Sequence, residues 1–561
     1  MVRSFLQSVG LEVRGMHQAA YVLALFALGS QLLALVRDRL LAAAFGAGHT
    51  LDVYYAAFRI PDFLFATVAS LLSLYALLPI LSRLEREHES LVIAFMRNTL
   101  LLFFVAMAVV SGVAFVCTPW LVSSIAPGIA EGASRESLIL LTRILLLQPI
   151  LLGLSNLFAN LTQLRHRFLL YSISPLFYNL GIIFGIVALY PKMGIAGLGW
   201  GVVIGALLHA LVQAPFFFGE KTERRLSFKE TFKILREVLV LSVPRTLSLA
   251  AGQITLLCLV ALASILTVGS ISIFTFASNL QAVPLTIIGV SYSVAAFPTL
   301  ARFFQSGHRE EFIKHIEGAL RHIIFWAIPA SVLIIVLRAH LVRSVLGAGA
   351  FDWSATRLTA AALALFVFSL LAQAIFLLIA RAYYAAGNTG KPLFLAAVNI
   401  VFSVSSAIGL LLLFRSNEFF KTLVESLLRV GDVPGTSVLM LPLGISVGSL
   451  TQCLLGLWML SRDFNLPLGG VLRLSLQSFT ASIVGGVATY LTLQLFEPVV
   501  DTQTLLGIVS QGAVAGSIGL IATAGVLWLL KSKELAEIVG ALGKKRLKSS
   551  EIIAVEPSDV A

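Results

Sequence analysis

Charged side chains make up only 12% of this 561-residue chain, while 58% of its residues are hydrophobic. Soluble domains carry about a quarter charged residues, so a soluble globular protein is excluded. Strict apolar–polar alternation is missing too. Continuous apolar runs recur instead, each with the ~18 or more residues needed to span a hydrocarbon core, which excludes a β-barrel. Cysteine is nearly absent: Cys117, Cys258 and Cys453 lie in or beside apolar runs without metal-ligand spacing, as small core residues do. No Walker A pattern, H-E-x-x-H or C-x-x-C occurs, so ATP-driven pumping by this chain has no support in the sequence. Gly46-Ala-Gly48 is a turn between spans rather than a phosphate loop. A cleavable signal pattern is also missing, because Arg3 to Gln18 is a mixed amphipathic stretch.

What fills the chain is a succession of apolar stretches. They predict an all-α polytopic membrane protein of about fourteen transmembrane helices, near 17–36, 51–81, 94–116, 138–162, 168–190, 194–218, 238–266, 271–299, 318–338, 357–385, 392–414, 438–461, 473–495 and 506–530. The second, seventh and eighth carry polar residues or proline, which is where a transporter breaks its helices. Connectors after even-numbered spans are basic: Arg83, Arg86 and Arg97; Arg165 and Arg167; Lys221 to Arg236; Arg302 to Arg321; Arg381 and Lys391; Arg462 and Arg473. Lys192 alone follows the fifth span, and no basic residue follows the seventh or thirteenth. Both termini are therefore expected in the cytoplasm. The net charge of +12 belongs to connectors rather than to one basic face, so no nucleic-acid partner is expected. Arg37 and Arg39 after the first span, and the Arg415–Val433 connector after the eleventh, are exceptions. The connector segment NEFFKTLVESLL reads as an amphipathic helix on the outer surface. The tail after Lys531 reads as a cytoplasmic surface helix whose basic face meets membrane lipids.

The chain repeats itself. The second span ends Pro79-Ile-Leu-Ser-Arg83 and the eighth Pro298-Thr-Leu-Ala-Arg302. The fourth–fifth and tenth–eleventh junctions each run from a basic turn through proline to an asparagine, Asn179 or Asn399. The sixth and twelfth spans are glycine-spaced, with Gly197, Gly201 and Gly205 in one and Gly444 and Gly448 in the other. An offset of six spans in one orientation predicts two parallel, pseudo-symmetric six-helix lobes, 1–236 and 237–465, then two extra transmembrane helices in 466–530 and a cytoplasmic tail, 531–561. The glycines are expected to bring helices into close contact.

Arg37, Asp38, Arg39, Asp52, Arg59 and Asp62 fall inside or beside apolar runs within Ser30–Arg83. Ionisable groups at membrane depth face a bundle interior or a wet cavity. Arg37, Asp38, Asp52 and Arg59, with Asn279 and Gln281 of the eighth span and Arg245 beside Pro244 in the seventh, are the candidate substrate-binding residues. Arginine suits bidentate recognition of phosphate, and Asp38 or Asp52 would hold the guanidinium groups and neutralise the empty cavity. A lipid diphosphate fits such a site better than a neutral sugar or an amine drug. The competing reading makes Arg37–Asp52 a gate or a packing ion pair. Asn399 and Ser403, four apart in the eleventh span, offer either oxygen ligands to a coupling cation or helix–helix hydrogen bonds. His209 and Gln213 form part of a polar relay or a satisfied intrahelical pair. No resident cofactor, metal site or enzyme activity is expected.

The segment LALVRDRLLAAAFGAGHTLDVYYAAFRIPDFL resembles the signature of the MurJ/MviN lipid II flippases, members of the multidrug/oligosaccharidyl-lipid/polysaccharide exporter superfamily. The matching pieces are Arg37-Asp38, Phe45-Gly46-Ala47-Gly48, Asp52 to Phe58 and Arg59-Ile60-Pro61-Asp62. The likeness continues through Phe297–Gly307 and Ala380–Pro392 and covers nearly the whole chain. It implies two six-helix lobes around a central cavity that opens alternately to cytoplasm and periplasm, with a groove for the lipid tail at the last two helices. It also implies a substrate of undecaprenyl-diphosphate-linked disaccharide-pentapeptide, membrane potential or a monovalent ion gradient as the driving force, the bacterial cytoplasmic membrane as location, and cell-wall synthesis machinery as a candidate partner. The chain departs from the pattern at Gln31, where the family usually has arginine, at Phe65-Ala66 and Ser70-Leu71 in place of an L-x-R-R…E-G run, and at Ser278–Pro284 in place of D-R-L-x-E-x-P. The expectation is a divergent alternating-access flippase of a polyprenyl-diphosphate-linked, lipid II-like peptidoglycan precursor. An exporter of another lipid-linked glycan or small molecule, or a transport-inactive scaffold, is the alternative.

Overall fold

A computed structural model describes residues 16–72, 74–129, 131–165, 167–218, 226–467, 469–498, 500–501 and 504–543. Helix is the only regular structure among them. The chain begins with α1 (Met16–Phe45), α2 (His49–Ala57), α3 (Arg59–Thr67), α4 (Leu74–Glu87), α5 (Glu89–Ile125), α6 (Gly132–Leu145), α7 (Leu147–Leu164), α8 (Phe168–Phe184) and α9 (Ile195–Leu211). A second set follows: α10 (Phe228–Ser264), α11 (Ser270–Leu285), α12 (Ser291–Gln305), α13 (Arg309–Leu346), α14 (Trp353–Val367), α15 (Leu370–Ala385), α16 (Gly390–Ser416), α17 (Glu418–Leu428) and α18 (Met440–Phe464). The chain closes with α19 (Gly469–Phe496), α20 (Leu505–Leu529) and α21 (Lys533–Gly543).

Ten helical runs among the described residues are long and apolar enough to cross a membrane, or eleven if α14 and α15, bent by 43°, are one span. This falls short of the fourteen expected. The three predicted spans outside the count are α1, the broken run α2–α4, and α9, whose 17 residues rise only about 26 Å. The expected breaks are also only partly right. The second span is cut at Phe58 and again at a 3-10 turn over Ala69–Leu72. The eighth is relaxed by a π turn, Thr286–Val290, directly after Pro284, which cannot donate to the helical ladder. The seventh, α10, is instead unbroken over 37 residues. Its start is fixed by a capping box in which the Ser227 hydroxyl accepts from Lys229 N and Glu230 accepts from Ser227 N.

Small residues set the packing in both sets, as their spacing predicts. A Cβ on Gly201 would lie 2.4 Å from the Gly185 Cα, and one on Gly448 would lie 2.7 Å from Ser403 N. The α8–α9 and α16–α18 pairs are thus the same backbone-to-backbone contact made twice. α19 and α20 pack on each other through Gly485 and Gly519 and on α13 through Gly486 and Gly516. α21 is the expected helix of the tail. It docks on α13 through Glu534, which is 3% exposed and accepts from Arg321 at 2.7 and 2.5 Å and from the Ser532 hydroxyl at 2.8 Å.

Two outcomes follow from these contacts. Gly201→Val forces α8 and α9 apart and is expected to cost about 1–3 kcal/mol, read as a lowered Tm in detergent. Gly252→Ala, where a Cβ meets nothing within 4 Å, is the neutral control. Burial favours the neutral acid at Glu534, but hydrogen bonds from its own backbone, Ser532 and Arg321 outweigh it and hold the carboxyl below the usual glutamate range. A depressed folded-state pKa gives stabilisation that is complete above the unfolded value, about 4.3, and lost as pH falls through the folded one. Proteolytic cleavage near Lys533 should therefore rise on acidification, and Arg321→Gln should flatten that profile.

Candidate functional site

The turns 45–48, 126–129, 264–269, 346–352 and 429–436, which follow odd-numbered spans, share one face of the molecule. On it the first and second sets of helices meet. Ala350 N donates to Ala43 O at 2.8 Å, and Gly128 N donates to the Ser264 hydroxyl at 3.2 Å. Gly269 stands at φ +92°, and a Cβ there would fall 2.4 Å from Ala47 O, so only glycine allows the approach. Arg39 donates to the carbonyl of Ser344 at 2.8 Å in the last turn of α13, where unpaired carbonyls and the helix dipole favour a cation. It therefore does not simply end α1 at a membrane surface.

Asp52 completes this contact. Its carboxylate accepts from Gly269 N at 2.6 Å, Ser272 N at 2.8 Å and the Ser272 hydroxyl at 2.7 Å. Gly269 has no side chain with which to cap α11, so a residue 217 positions earlier caps it. Asp52 is 5% exposed and makes no ion pair with an arginine among the described residues. In this structure it sits apart from Arg37 and holds no guanidinium. Its oxygens are consumed by main-chain and hydroxyl donors, because the FGAG turn delivers α2 directly to the start of α11.

Arg37 and Asp38 lie two turns below that face. Arg37 donates to Asp38 Oδ1 from Nε (2.9 Å) and Nη2 (2.8 Å), and from Nη1 to Asn179 Oδ1 of α8 at 3.0 Å. Asn279 of α11 donates to the remaining Asp38 oxygen, Oδ2, at 3.0 Å. Asp38 is 3% exposed, whereas the Arg37 side chain keeps 20%. One chain of bonds thus runs α8–α1–α11 and joins the two sets of helices. Asn279, expected to share a site with Arg37 and Asp38, here meets Asp38 directly. The sequence exposes Asn179 as a polar residue inside an apolar helix but not as the partner of Arg37.

Arg59 is half-buried and donates from Nε to its own turn, Tyr55 O, at 3.1 Å. Among the described residues its Nη atoms have no hydrogen-bond partner. Asp62, one turn on, accepts from Gln148 at 3.4 Å. Gln281 is buried with its Nε2 unpartnered among the described residues, as are the Tyr55 hydroxyl and Gln148 Oε1. Buried polar atoms are normally satisfied, so these unmet ones stand out among the described residues. Sequence reasoning did not single out Tyr55 or Gln148, which read as ordinary members of apolar helices. Arg245 lies on α10, but its side chain is outside the described residues.

Asn399 donates to Gln452 Oε1 at 3.1 Å, and the Ser403 hydroxyl to Asn399 Oδ1 at 3.4 Å. Gln452 in turn donates to Leu395 O at 3.1 Å, so these groups bind α16 to α18. His209 contacts the Ser155 hydroxyl at 2.6 Å and that of Ser174 at 3.2 Å, joining α9 to α7 and α8. Gly444-Ile-Ser-Val-Gly448 spells the G-x-S-x-G of hydrolases, but Ser446 sits inside α18 and donates to Leu365 O at 2.6 Å. That motif needs its serine exposed on a strand-to-helix turn.

The family model described as lipid II flippase MurJ matches residues 41–510. The lipid II flippase MurJ of Burkholderia cenocepacia is 26% identical over 476 residues, covering 82% of this chain and 86% of that one. The probable lipid II flippase MurJ of Thermotoga maritima is 29% identical over 389 residues, covering 68% and 78%. Among solved structures, a lipid II flippase MurJ in an inward closed conformation matches with TM-score 0.69 at 20% identity, covering 91% of this chain and 99% of that one. An inward-facing MATE-family multidrug transporter matches with TM-score 0.64 at 15% identity, covering 78% and 94%. At these identities the structural likeness shows the fold alone.

Asp52→Ala leaves two main-chain donors of α11 unpaired, each worth about 1–3 kcal/mol when buried. The expected outcome is a lower Tm together with faster maleimide labelling of Ala47→Cys, in detergent and in a background lacking Cys117, Cys258 and Cys453. Asp52→Asn, which keeps an acceptor, should fall between the two.

Proposed function

The chain belongs to the MurJ lipid II flippase family, and from that premise we propose that it moves a polyprenyl-diphosphate-linked peptidoglycan precursor across the bacterial cytoplasmic membrane. The observation that carries this reading is the clamp on Arg37. Its guanidinium is held by Asp38 and Asn179 on the bond chain that runs on to α11, and Arg59 of the neighbouring α3 keeps Nη donors without a partner among the described residues. A diphosphate offers planar, bidentate acceptors to both arginines. On entry it takes over Arg37 donors now given to Asp38. Because the other Asp38 oxygen accepts from Asn279 of α11, loading the site alters a bond that spans the two sets. Gln281 Nε2 and the Tyr55 hydroxyl supply neutral donors for the sugar side of the head group.

The lipid chain has its own place. An apolar cavity of about 830 Å³ lies between α11, α13 and α20, walled by Ile287, Trp326, Leu333, Leu520 and Leu527 beside the π turn. A prenyl chain held there keeps its apolar surface out of water while the head group occupies the arginines. With the basic connectors on the cytoplasmic side, both termini are cytoplasmic and the face sealed by Asp52 is periplasmic, so the site is poised to load from inside. Units 1–236 and 237–465 would rock about the site, with 466–530 as a lipid-facing addition. Membrane potential or a monovalent ion gradient would drive the cycle, without a cofactor and without bond-making chemistry. The matched family favours a lipid-linked cell-wall precursor over a drug or a degenerate scaffold.

The test is complementation of a conditional lipid II flippase knockout. Wild type should restore growth, and Arg37→Ala should not, despite normal insertion. Arg37→Lys, which keeps the charge but not the fork, should lose roughly tenfold or more in flipping rate, since charge-assisted bonds are worth about 1.5–3 kcal/mol. Normal growth on Arg37→Ala rejects the diphosphate assignment. Failure of an expressed, inserted wild type rejects lipid II in that host.

A further inference from the structure

A second group of cations lies far from Arg37, where α13 and α14 meet α17 and α19 on the sealed face. Arg338 and Arg343 come from α13, Arg357 from α14, and Arg429 caps the C-terminus of α17. Only Arg357 is neutralised: it forms a bidentate pair with Asp432 at 2.6 Å on each oxygen and also donates to the Arg429 carbonyl. Arg338 donates to Ile335 O at 3.0 Å and to nothing else among the described residues. Arg343 stacks over Trp353 at 5.5 Å. Arg429 is held at φ +59° and, like Arg338 and Arg343, makes no ion pair among the described residues. His340 hydrogen-bonds Gln511 at 3.1 Å. Glu497 borders the same space as Arg343 and Arg429, but it is exposed and pairs with neither.

Arg338, His340, Arg357 and Arg429 edge a cavity of about 700 Å³ whose other walls are largely apolar, with Val332, Val336, Leu427, Ile483 and Val487 among them; Arg343 lines a smaller adjoining cavity that shares His340 and Arg429. α17 places Arg429 at one edge while Phe419, Leu423 and Leu427 project outward from the same short helix, as on a helix lying in a membrane interface. Unpaired arginines next to a low-dielectric wall repel one another, and an anion relieves that cost. A free anion would leave the apolar wall unused, and an apolar ligand would leave the arginines unpaired. A phospholipid meets both requirements, with its phosphate at the arginines and an acyl chain along the wall.

We propose that this cavity binds one anionic phospholipid from the leaflet at this face, its phosphate held by Arg338 and Arg429 with Arg343 beside them. Its acyl chain lies between α13 and α19 and ties the last two helices to the body of the protein. The inference depends on the chain spanning a membrane and not on which precursor it moves.

Native mass spectrometry of the detergent-purified protein tests it, with phosphatidylglycerol and phosphatidylcholine of identical chains offered in turn. Phosphatidylglycerol should be retained preferentially. Arg429→Asn, which suits the left-handed backbone, should lower retention about fivefold, and Arg338→Gln/Arg429→Asn about twenty-five-fold, at about 1 kcal/mol per basic residue. Lys314→Gln, far from the cavity, should change nothing. Equal retention of the two lipids, or unchanged retention by Arg429→Asn, overturns the proposal. So does equal competition by glycerophosphoglycerol or inorganic phosphate, which would show an anion site without a lipid. If the double variant fails to fold, Arg429→Asn alone decides.

Discussion

A buried carboxylate helps to join the two sets of helices at one face, together with Arg39 and close backbone contacts. Asp52 supplies the N-cap that α11 lacks, beside an apolar cluster in which Tyr55 of α2 meets Phe276 of α11 edge-on. The polar and apolar parts of this contact respond differently to water. An apolar seam would hide area from water and resist opening in proportion to that area. A cap made of three hydrogen bonds costs little net once water can replace them, because solvent satisfies the same groups when the face opens. At the edge of the apolar cluster, Gly46, Gly269 and Gly349 bring backbones within reach of Ala350, Ala47 and Ala43.

Two levels of polar contact therefore converge on α11. Asp52 holds its first turn, and Asp38 holds Asn279 about two and a half turns further along. The helix is rigid between these points, and its π turn begins only at Thr286. A change at Asn279 is then felt at Ser272 as a displacement of one body rather than through a chain of side chains. This is the physical content of coupling between binding and opening: two sites bias one element with discrete positions.

Much of this was legible in the sequence. Arg37, Asp38 and Asp52 stood out because charge is so sparse, and the paired glycine spacings foretold the α8–α9 and α16–α18 contacts. The role of Asp52 was not legible. Its partners are the backbone of Gly269 and Ser272, and every residue carries an amide, so no residue type announces such a contact. Arg39 escaped for the same reason, since it pairs with carbonyls. Ten or eleven of the fourteen expected spans are counted among the described residues; α9 is short and the second span is cut, and periodicity reports apolar content better than continuity. α10 stayed whole where a break was expected; it packs against α3, α5 and α16, and tertiary packing supports a helix across a local breaker.

The same sparseness explains how the site is built. Where the resemblance leads one to expect charged residues in the eighth span, at positions 278, 279 and 282, this chain has Ser278, Asn279 and Ala282. Amides cost far less than ions to hold at membrane depth, and they donate or accept as the ligand requires. Asn279 needs only one donor to satisfy Asp38, and Asn179 only one acceptor to align Arg37. Geometry is thereby kept while the electrostatic field is reduced. Arg37 is oriented by Asp38 and Asn179, while Arg59 keeps Nη donors without a hydrogen-bond partner among the described residues; for the anion proposed above, the first supplies a fixed fork and the second unspent donors.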